Sequence, residues 1–499
     1  MLDRFDPRLD ADFPPVDRQR LIGALRQVLP KGALLTETEA LRPYETDGLA
    51  AYRSLPGVVA LPHTVEQVQA ILRTCCELGV PVVARGAGTG LSGGALPFPG
   101  CVLLSLARFD KILEIDADAR TARVQPGVRN LAISQAVGPL GFFYAPDPSS
   151  QIACSIGGNV AENAGGVHCL KYGLTLHNIL KLEVVTIEGE RLTIGSEALD
   201  APGFDLLALM TGSEGLLGVV TEVMVKLTPL PETTSVMLAA FDSVERAAAA
   251  VADIIAAGCI PAGLEMMDGP ALRAAEDFVR AGYPRNAAAI LLCELDGAAA
   301  DVAEEAGRIS QILHTAGAVE VRLAADEAER ARFWAGRKNA FPAVGRIAPD
   351  YYCMDGTIPR RALPQVLTEI GRLAEKHGLA VANVFHAGDG NLHPLILYDA
   401  NREGDIAKAE ALGGEILELC VAVGGTITGE HGVGREKIDQ MCVQFGAAEI
   451  ETFFALKRAF DPGGLLNPGK AIPTLNRCAE FGRMHVHRGE LPFAHLPRF

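Results

Sequence analysis

Residues 386–393 read HAGDGNLH, and residues 425–434 read GTITGEHGVG. His386 ends one apolar run and His393 begins the next, LHPLILY. Gly388, Asp389, Gly390 and Asn391 are turn residues between them. A hairpin here would aim both imidazoles at one point. Glu430 would be a third ligand, and two histidines with one carboxylate leave coordination positions open, as in a catalytic zinc or manganese site. Two hairpin histidines making turn hydrogen bonds fit the same residues, because His-x6-His is not a recognised ligand spacing. On spacing alone that alternative stays open.

Such side chains need elements to hold them. TVEQVQAILRTCCELG (64–79) predicts a helix: Thr64 with Gln67 forms a capping box, Val68, Ile71, Leu72 and Cys75 share one face, and Gly79 ends it. A short buried strand, VPVVA (80–84), leads into the glycine-rich RGAGTGLSGGALP (85–97), and CVLLSL (101–106) is a further strand. Two more glycine-rich stretches follow, YAPDPSSQIACSIGGNVAENAGG (144–166) and TGSEGLLGVVTEV (211–223), with a strand pair starting in LKLEVVTIEG. Glycine loops let backbone N–H groups approach a ligand without a Cβ in the way. RGAGTG meets G-x-G-x-x-G only loosely, since Leu91 holds the last glycine position and no helix opens after it, so a nicotinamide site is rejected. G-x-x-x-x-G-K-[ST] is absent.

Beyond Pro229 and Pro231 the texture changes to helices at 242–258, 270–282, 298–316, 326–340 and 361–377 alternating with apolar strands, which predicts α+β layers. The expected division is an N-terminal segment (1–55), a ligand-binding domain (56–235), a substrate or cap domain (236–445), a C-terminal segment returning to the first domain (446–475) and a tail (476–499). At 499 residues the chain has room for several cores. Its net charge of −16 disfavours a general nucleic-acid binder. No run reaches the length of a membrane span, the opening residues carry acids and prolines rather than a signal-like core, and none of the 11 cysteines stands in C-x-x-C. A soluble cytoplasmic chain with reduced, buried thiols and no iron–sulfur cluster of its own is expected, with any membrane contact made through a partner.

PVVARGAGTGLSGGALP, CSIGGNVAENAGG and TGSEGLLGVVTEV together resemble the FAD-binding domain of the vanillyl-alcohol-oxidase and p-cresol-methylhydroxylase flavoproteins, over about residues 56–230. The resemblance implies two α+β subdomains holding an extended FAD. Arg85, Gly86, Ala87, Gly88, Thr89, Gly90, Ser92 and Gly93 would cradle the pyrophosphate. Pro146, Asp147 and Ser149, with Gly157, Gly158, Asn159, Asn163, Gly165 and Gly166, would line the flavin and ribityl side. Gly215, Gly218 and Val220 would close over the adenine end. Some relatives carry a histidine in the first loop that bonds the flavin; loop 85–94 has none, so the FAD should be non-covalent.

The second half is similar to the D-2-hydroxyacid dehydrogenases of that superfamily, through H-x-G-D-G-N-x-H and G-E-H-G-x-G. This resemblance implies that His386, His393 and Glu430 bind a divalent metal, zinc or manganese, that His431 is the general base, and that Arg337 grips the substrate carboxylate. Asn467, with Lys470, would touch the flavin from the C-terminal segment. Where hydroxyglutarate-specific relatives carry Thr, Lys and Asn, this chain has Phe341, Cys353 and Leu395, which favours a small 2-hydroxyacid, glycolate or D-lactate. A second flavin subunit and an iron–sulfur subunit are the implied partners. A stand-alone D-lactate or D-2-hydroxyglutarate dehydrogenase and a non-catalytic, flavin-bound assembly subunit are the alternatives.

Overall fold

The helix expected after Thr64 runs Val65–Leu78, with the Thr64 hydroxyl accepting from the Gln67 amide and Gly79 closing it at φ +64°. The computed structural model describes Phe13, residues 17–198 and residues 203–473; the 476–499 tail lies outside the described residues. The buried face of that helix (Val68, Ile71, Leu72, Cys75) packs on a four-stranded sheet of β1 (Leu34–Leu35), β2 (Val58–Ala60), β3 (Val82–Arg85) and β4 (Val102–Ser105), in the order β1-β2-β4-β3. β4 runs parallel to both β2 and β3 and is buried throughout, which accounts for its unbroken apolar run. The helix Arg18–Val28 adds Leu21, Ile22 and Leu25 to the same core, so the N-terminal segment is part of this layer. The C-terminal segment reaches it too: the Val82 amide donates to the Leu465 carbonyl.

β5 (Ile112–Asp116), β6 (Thr121–Val124), β8 (Ile179–Val185), β9 (Arg191–Gly195) and β10 (Val219–Lys226) form an antiparallel five-stranded sheet, order β5-β6-β10-β8-β9. A short ribbon pairs β7 (Phe142–Phe143) with β11 (Thr228–Pro229).

The third sheet is antiparallel and seven-stranded: β12 (Thr233–Phe241), β13 (Gly263–Asp268), β14 (Ala289–Gly297), β15 (Glu320–Leu323), β16 (Asp350–Cys353), β17 (Ala380–Phe385) and β18 (Pro394–Tyr398), in the order β15-β12-β14-β13-β17-β18-β16. Side chains alternate between two cores. On β14, Leu291, Cys293 and Leu295 join one core, with the helices Val244–Ala256 and Leu363–His377, while Ile290 and Leu292 join the other. That second face is covered by the helices Gly269–Val279 and Glu327–Lys338. Ala382 and Val384 of β17 and Leu395 and Leu397 of β18 point to it as well. By the two-residue period His386 and His393 belong to this face, and the covering helix carries Arg337.

Cys75, Cys76, Cys101, Cys154, Cys169, Cys259, Cys293, Cys353 and Cys420 have free thiols. Cys442 is disulfide-bonded, which departs from the expectation of reduced thiols throughout. Among the described residues, no helix is long and apolar enough to cross a membrane.

Candidate functional site

β17 and β18 pair as the hairpin anticipated, with Asn383 opposite Pro394 and a further bridge between His386 and Asn391. The loop between carries Gly390 at φ +83°, where a Cβ would run into the Ile358 carbonyl oxygen, so only glycine closes this turn. The two histidine rings stand 5.2 Å apart at 82°. Glu430 Oε1 lies 3.3 Å from His386 Nε2 and 3.2 Å from His393 Nε2. All three side chains are buried. Burial works against the charge of Glu430, yet the neighbouring imidazoles of His386 and His393 hold its carboxyl well below the usual carboxylate range. Neither ring nitrogen of His393 makes a well-directed hydrogen bond, although the ring is buried. One carboxylate oxygen between two Nε2 atoms is a donor set that fits a divalent cation.

Asp355, His393 and His431 form a second convergent set, but it fits a cation poorly. Asp355 already accepts from the amides of Gly429, Glu430 and His431 and from the Thr428 hydroxyl, and Lys437 Nζ lies 2.9 Å away. Asp355 and Lys437 are both fully buried. Burial opposes the Asp355 charge, and Lys437 with His431 nevertheless holds its carboxyl well below the ordinary value. The pair thus sets the backbone of the loop that bears Glu430 and His431. His431 stacks on His393, centroids 4.9 Å apart and 6° from parallel. Burial pushes its imidazole down to about 4 against the pull of Asp355, so it is neutral at neutral pH.

Of these side chains His393, Glu430 and His431 line a cavity of about 410 Å³. Arg85, Gly86, Ala87, Gly88, Thr89 and Gly90 line it, as do Ser149, Gly157, Gly158, Asn159, Gly215, Gly218 and Val220, and so do His393, Glu430 and His431. The remaining expected residues stand behind its wall. Ser92 accepts the Arg435 and Glu436 amides and donates its hydroxyl to the His431 carbonyl; Gly93 packs on Arg435. The Pro146 carbonyl accepts from Asn130, and Asp147 is bound by the backbone and ring of His168. Asn163 caps a helix at φ +52° and accepts from Leu176. Gly165 leaves room for Glu430, and Gly166 packs on Asp147. Asn467 ties the first loop to the third, donating to the Gly94 and Glu214 carbonyls, with Lys470 on its side-chain oxygen.

Arg337 is 1% exposed and is ion-paired with Glu265 at 2.6 Å, and it is not among the cavity-lining residues. Lys338 and Phe341 on the same stretch do line the cavity. Sequence reasoning passed over Glu265, Lys338, Glu162 and Glu214. Glu162 lines the cavity, and burial together with the neighbouring Glu214 raises its carboxyl well above the ordinary value. Glu214 accepts the Val433 and Gly434 amides, fastening the third glycine loop to the loop of His431. Its signal was a charged residue inside TGSEG; that of Glu265 was a lone acid in the apolar strand GLEMMD.

Two family models match: the FAD binding domain over residues 56–195 and the C-terminal domain of FAD linked oxidases over residues 230–471. The chain is 68% identical to the glycolate oxidase subunit GlcD of Escherichia coli K12, covering 99% of both chains. It is 41% identical to the protein of the same description in Bacillus subtilis, over 86% of this chain and 91% of that one. A D-lactate dehydrogenase of Anaerostipes hadrus is 31% identical over 90% of this chain and 96% of its own. Among solved structures, p-cresol methylhydroxylase superposes with a TM-score of 0.78 at 18% identity, over 92% of this chain and 97% of that one, a likeness of fold.

Proposed function

The chain belongs to the FAD-linked oxidases, and on that premise we propose that it oxidises small 2-hydroxyacids, glycolate and with it D-lactate, to the 2-oxoacids glyoxylate and pyruvate. The observation that carries this reading is that His393, Glu430 and His431 line the same cavity as the three glycine loops. A hydroxyacid bound among them lies against whatever those loops hold. The subunit names of the GlcD relatives support glycolate as the substrate.

FAD held by these loops would supply a hydride acceptor, and a divalent cation held by His386, His393 and Glu430 would supply a Lewis acid. The chain's own residues do the rest. His431, neutral at neutral pH, takes the hydroxyl proton at Nε2, the nitrogen 3.8 Å from Glu430 Oε1. Arg337 is the proposed partner of the substrate carboxylate. Glu265 occupies its Nε and Nη2, which leaves Nη1 for a substrate carboxylate. Lys338, unlike Arg337, lines the cavity and is a further cation beside it. Phe341 lines the cavity, and Cys353 and Leu395 are cross-strand partners in the apolar cluster against which Phe341 packs. A second carboxylate would meet no polar partner among these three, which supports short hydroxyacids over D-2-hydroxyglutarate.

Loop 85–94 carries no histidine, which supports non-covalent FAD; acid precipitation should release all the yellow colour. The word subunit in the relatives' names supports a multi-subunit enzyme, and the partners proposed are a second flavin subunit and an iron–sulfur subunit. Anaerobic addition of glycolate to the purified flavoprotein should bleach its absorption. Unchanged flavin with glycolate and with D-lactate would overturn the reading. Quinone-linked turnover by the single chain would overturn the partner assignment alone.

A further inference from the structure

Glu265 belongs to none of the motifs, yet it stands directly behind the histidine cluster. It lies on β13, where the antiparallel register pairs Met266 with Phe385 and so sets Glu265 across from His386. Cross-strand neighbours on one face of a sheet touch. Glu265 Oε1 lies 2.8 Å from His386 Nδ1. Glu265 Oε2 accepts from Arg337 Nε at 2.8 Å, with Nη2 at 2.6 Å. Glu265 and Arg337 are each 1% exposed and His386 is 3% exposed. A buried carboxylate is costly unless partnered, and this one has a partner on each oxygen.

We propose that Glu265 is the positioning residue of the metal site, fixing the tautomer and ring direction of His386 through one oxygen and the guanidinium of Arg337 through the other. This rests on the reading of His386, His393 and Glu430 as metal ligands. A carboxylate can only accept, so the Nδ1 facing it must carry the proton. That leaves the Nε2 lone pair for the cation, on the nitrogen that converges on Glu430 with His393. Histidine ligands are commonly oriented in this way by a carboxylate behind the ring. Here the same carboxylate is shared with Arg337. Ligand geometry and the proposed carboxylate clamp are therefore set by a single side chain that touches neither cavity nor substrate.

Glu265→Gln tests this with almost no change in volume. An amide can offer N–H to Nδ1, which favours the tautomer with its proton on Nε2, and it cannot neutralise Arg337. The full-length protein, stripped with chelator, is titrated with Mn²⁺ and separately with Co²⁺, following the Co²⁺ absorption spectrum. Glu265→Gln should weaken Mn²⁺ binding by about 10–100-fold, the usual cost of losing such a partner. It should shift the Co²⁺ spectrum and leave FAD content and far-ultraviolet circular dichroism unchanged. Glu265→Asp, which keeps the charge but shortens the reach, should lose less affinity and keep a spectrum nearer the original. Arg337→Gln should raise KM for glycolate more than it weakens Mn²⁺ binding. Wild-type Mn²⁺ affinity and Co²⁺ spectrum in Glu265→Gln or, if that variant does not fold, in Glu265→Asp would overturn the positioning role, while weak binding in His386→Asn would still stand for the ligand reading. Wild-type protein that binds neither ion would overturn the ligand reading and this inference with it.

Discussion

Two parts of the cavity lining are built from opposite materials. The wall made by residues 85–90, 157–159, 215 and 218–220 is mainly glycine and small residues. The part that holds His393, Glu430 and His431 is made of ionisable side chains, the first two buried and His431 half-buried, propped by the buried Glu265, Asp355 and Lys437. Backbone donors cost nothing to place once the fold exists, and many weak contacts can share a long ligand. Buried charges are costly unless every partner is present, so a single lost partner is felt in full. The loop wall should therefore tolerate most single changes, and the charged part almost none.

Glu430→Gln should produce the largest effect. Losing the negative charge shared between both Nε2 atoms should abolish metal retention and lower kcat/KM by about 10³-fold or more, from the several kcal/mol a Lewis acid supplies. FAD content should stay at the wild-type level; metal analysis beside the visible spectrum checks both. The same cluster predicts a pH dependence. Burial would lower the histidine values, but Glu265 raises that of His386, and the neighbouring carboxylates of Asp355 and Glu430 raise that of His393. Protons therefore compete with the metal already near neutral pH. Metal affinity should fall as pH is lowered and rise with pH until both imidazoles are neutral, which a chelator competition from pH 5 to 9 would show.

His431→Gln comes next, with kcat/KM lower by about 10²- to 10³-fold and both metal and FAD retained. Loss of metal in this variant would mean the histidine acts in the ligand set instead.

On the loop wall the sharpest expected effect is at Gly88, where φ is +70° and a Cβ would run into the Arg85 guanidinium. Gly88→Ala should weaken FAD binding about tenfold, the scale of one strained backbone position, with metal content unchanged. Phe341→Thr should raise relative activity on D-2-hydroxyglutarate by a comparable factor or less, measured as a ratio of specificity constants. Thr89→Ala should be the mildest, within about 0.5 kcal/mol of wild type in FAD affinity by flavin-release titration. A large loss at Thr89 would break the contrast between the two parts.

The local elements were open to reading because their signals are local. The capping box at Thr64, the apolar stripe to Cys75 and Gly79 as stop are contained within one helix. The β17–β18 hairpin was readable for a similar reason, since four turn residues sit between two apolar runs. Glu265 was not readable: it is one acid in GLEMMD, and nothing near it in the chain names a partner. Arg337 was read through its motif as facing a substrate, and only the fold shows that Glu265 holds its Nε and Nη2. Asn467 was expected at the flavin, and its amide bridges the Gly94 and Glu214 carbonyls.

By itself the sequence determined where helices, strands and glycine loops begin and end, and which side chains have the chemistry to bind a cation or take a proton. Those properties depend on neighbours a few positions away. Tertiary structure decided which of those side chains meet. Strand register placed Glu265 opposite His386, since a shift of one residue would have turned it to the other core. Packing of the helix Glu327–Lys338 on the same face brought Arg337 to that carboxylate. Asp355 and Lys437, 82 positions apart in the chain, were joined beneath the Glu430 loop because each buried charge is stable only beside the other.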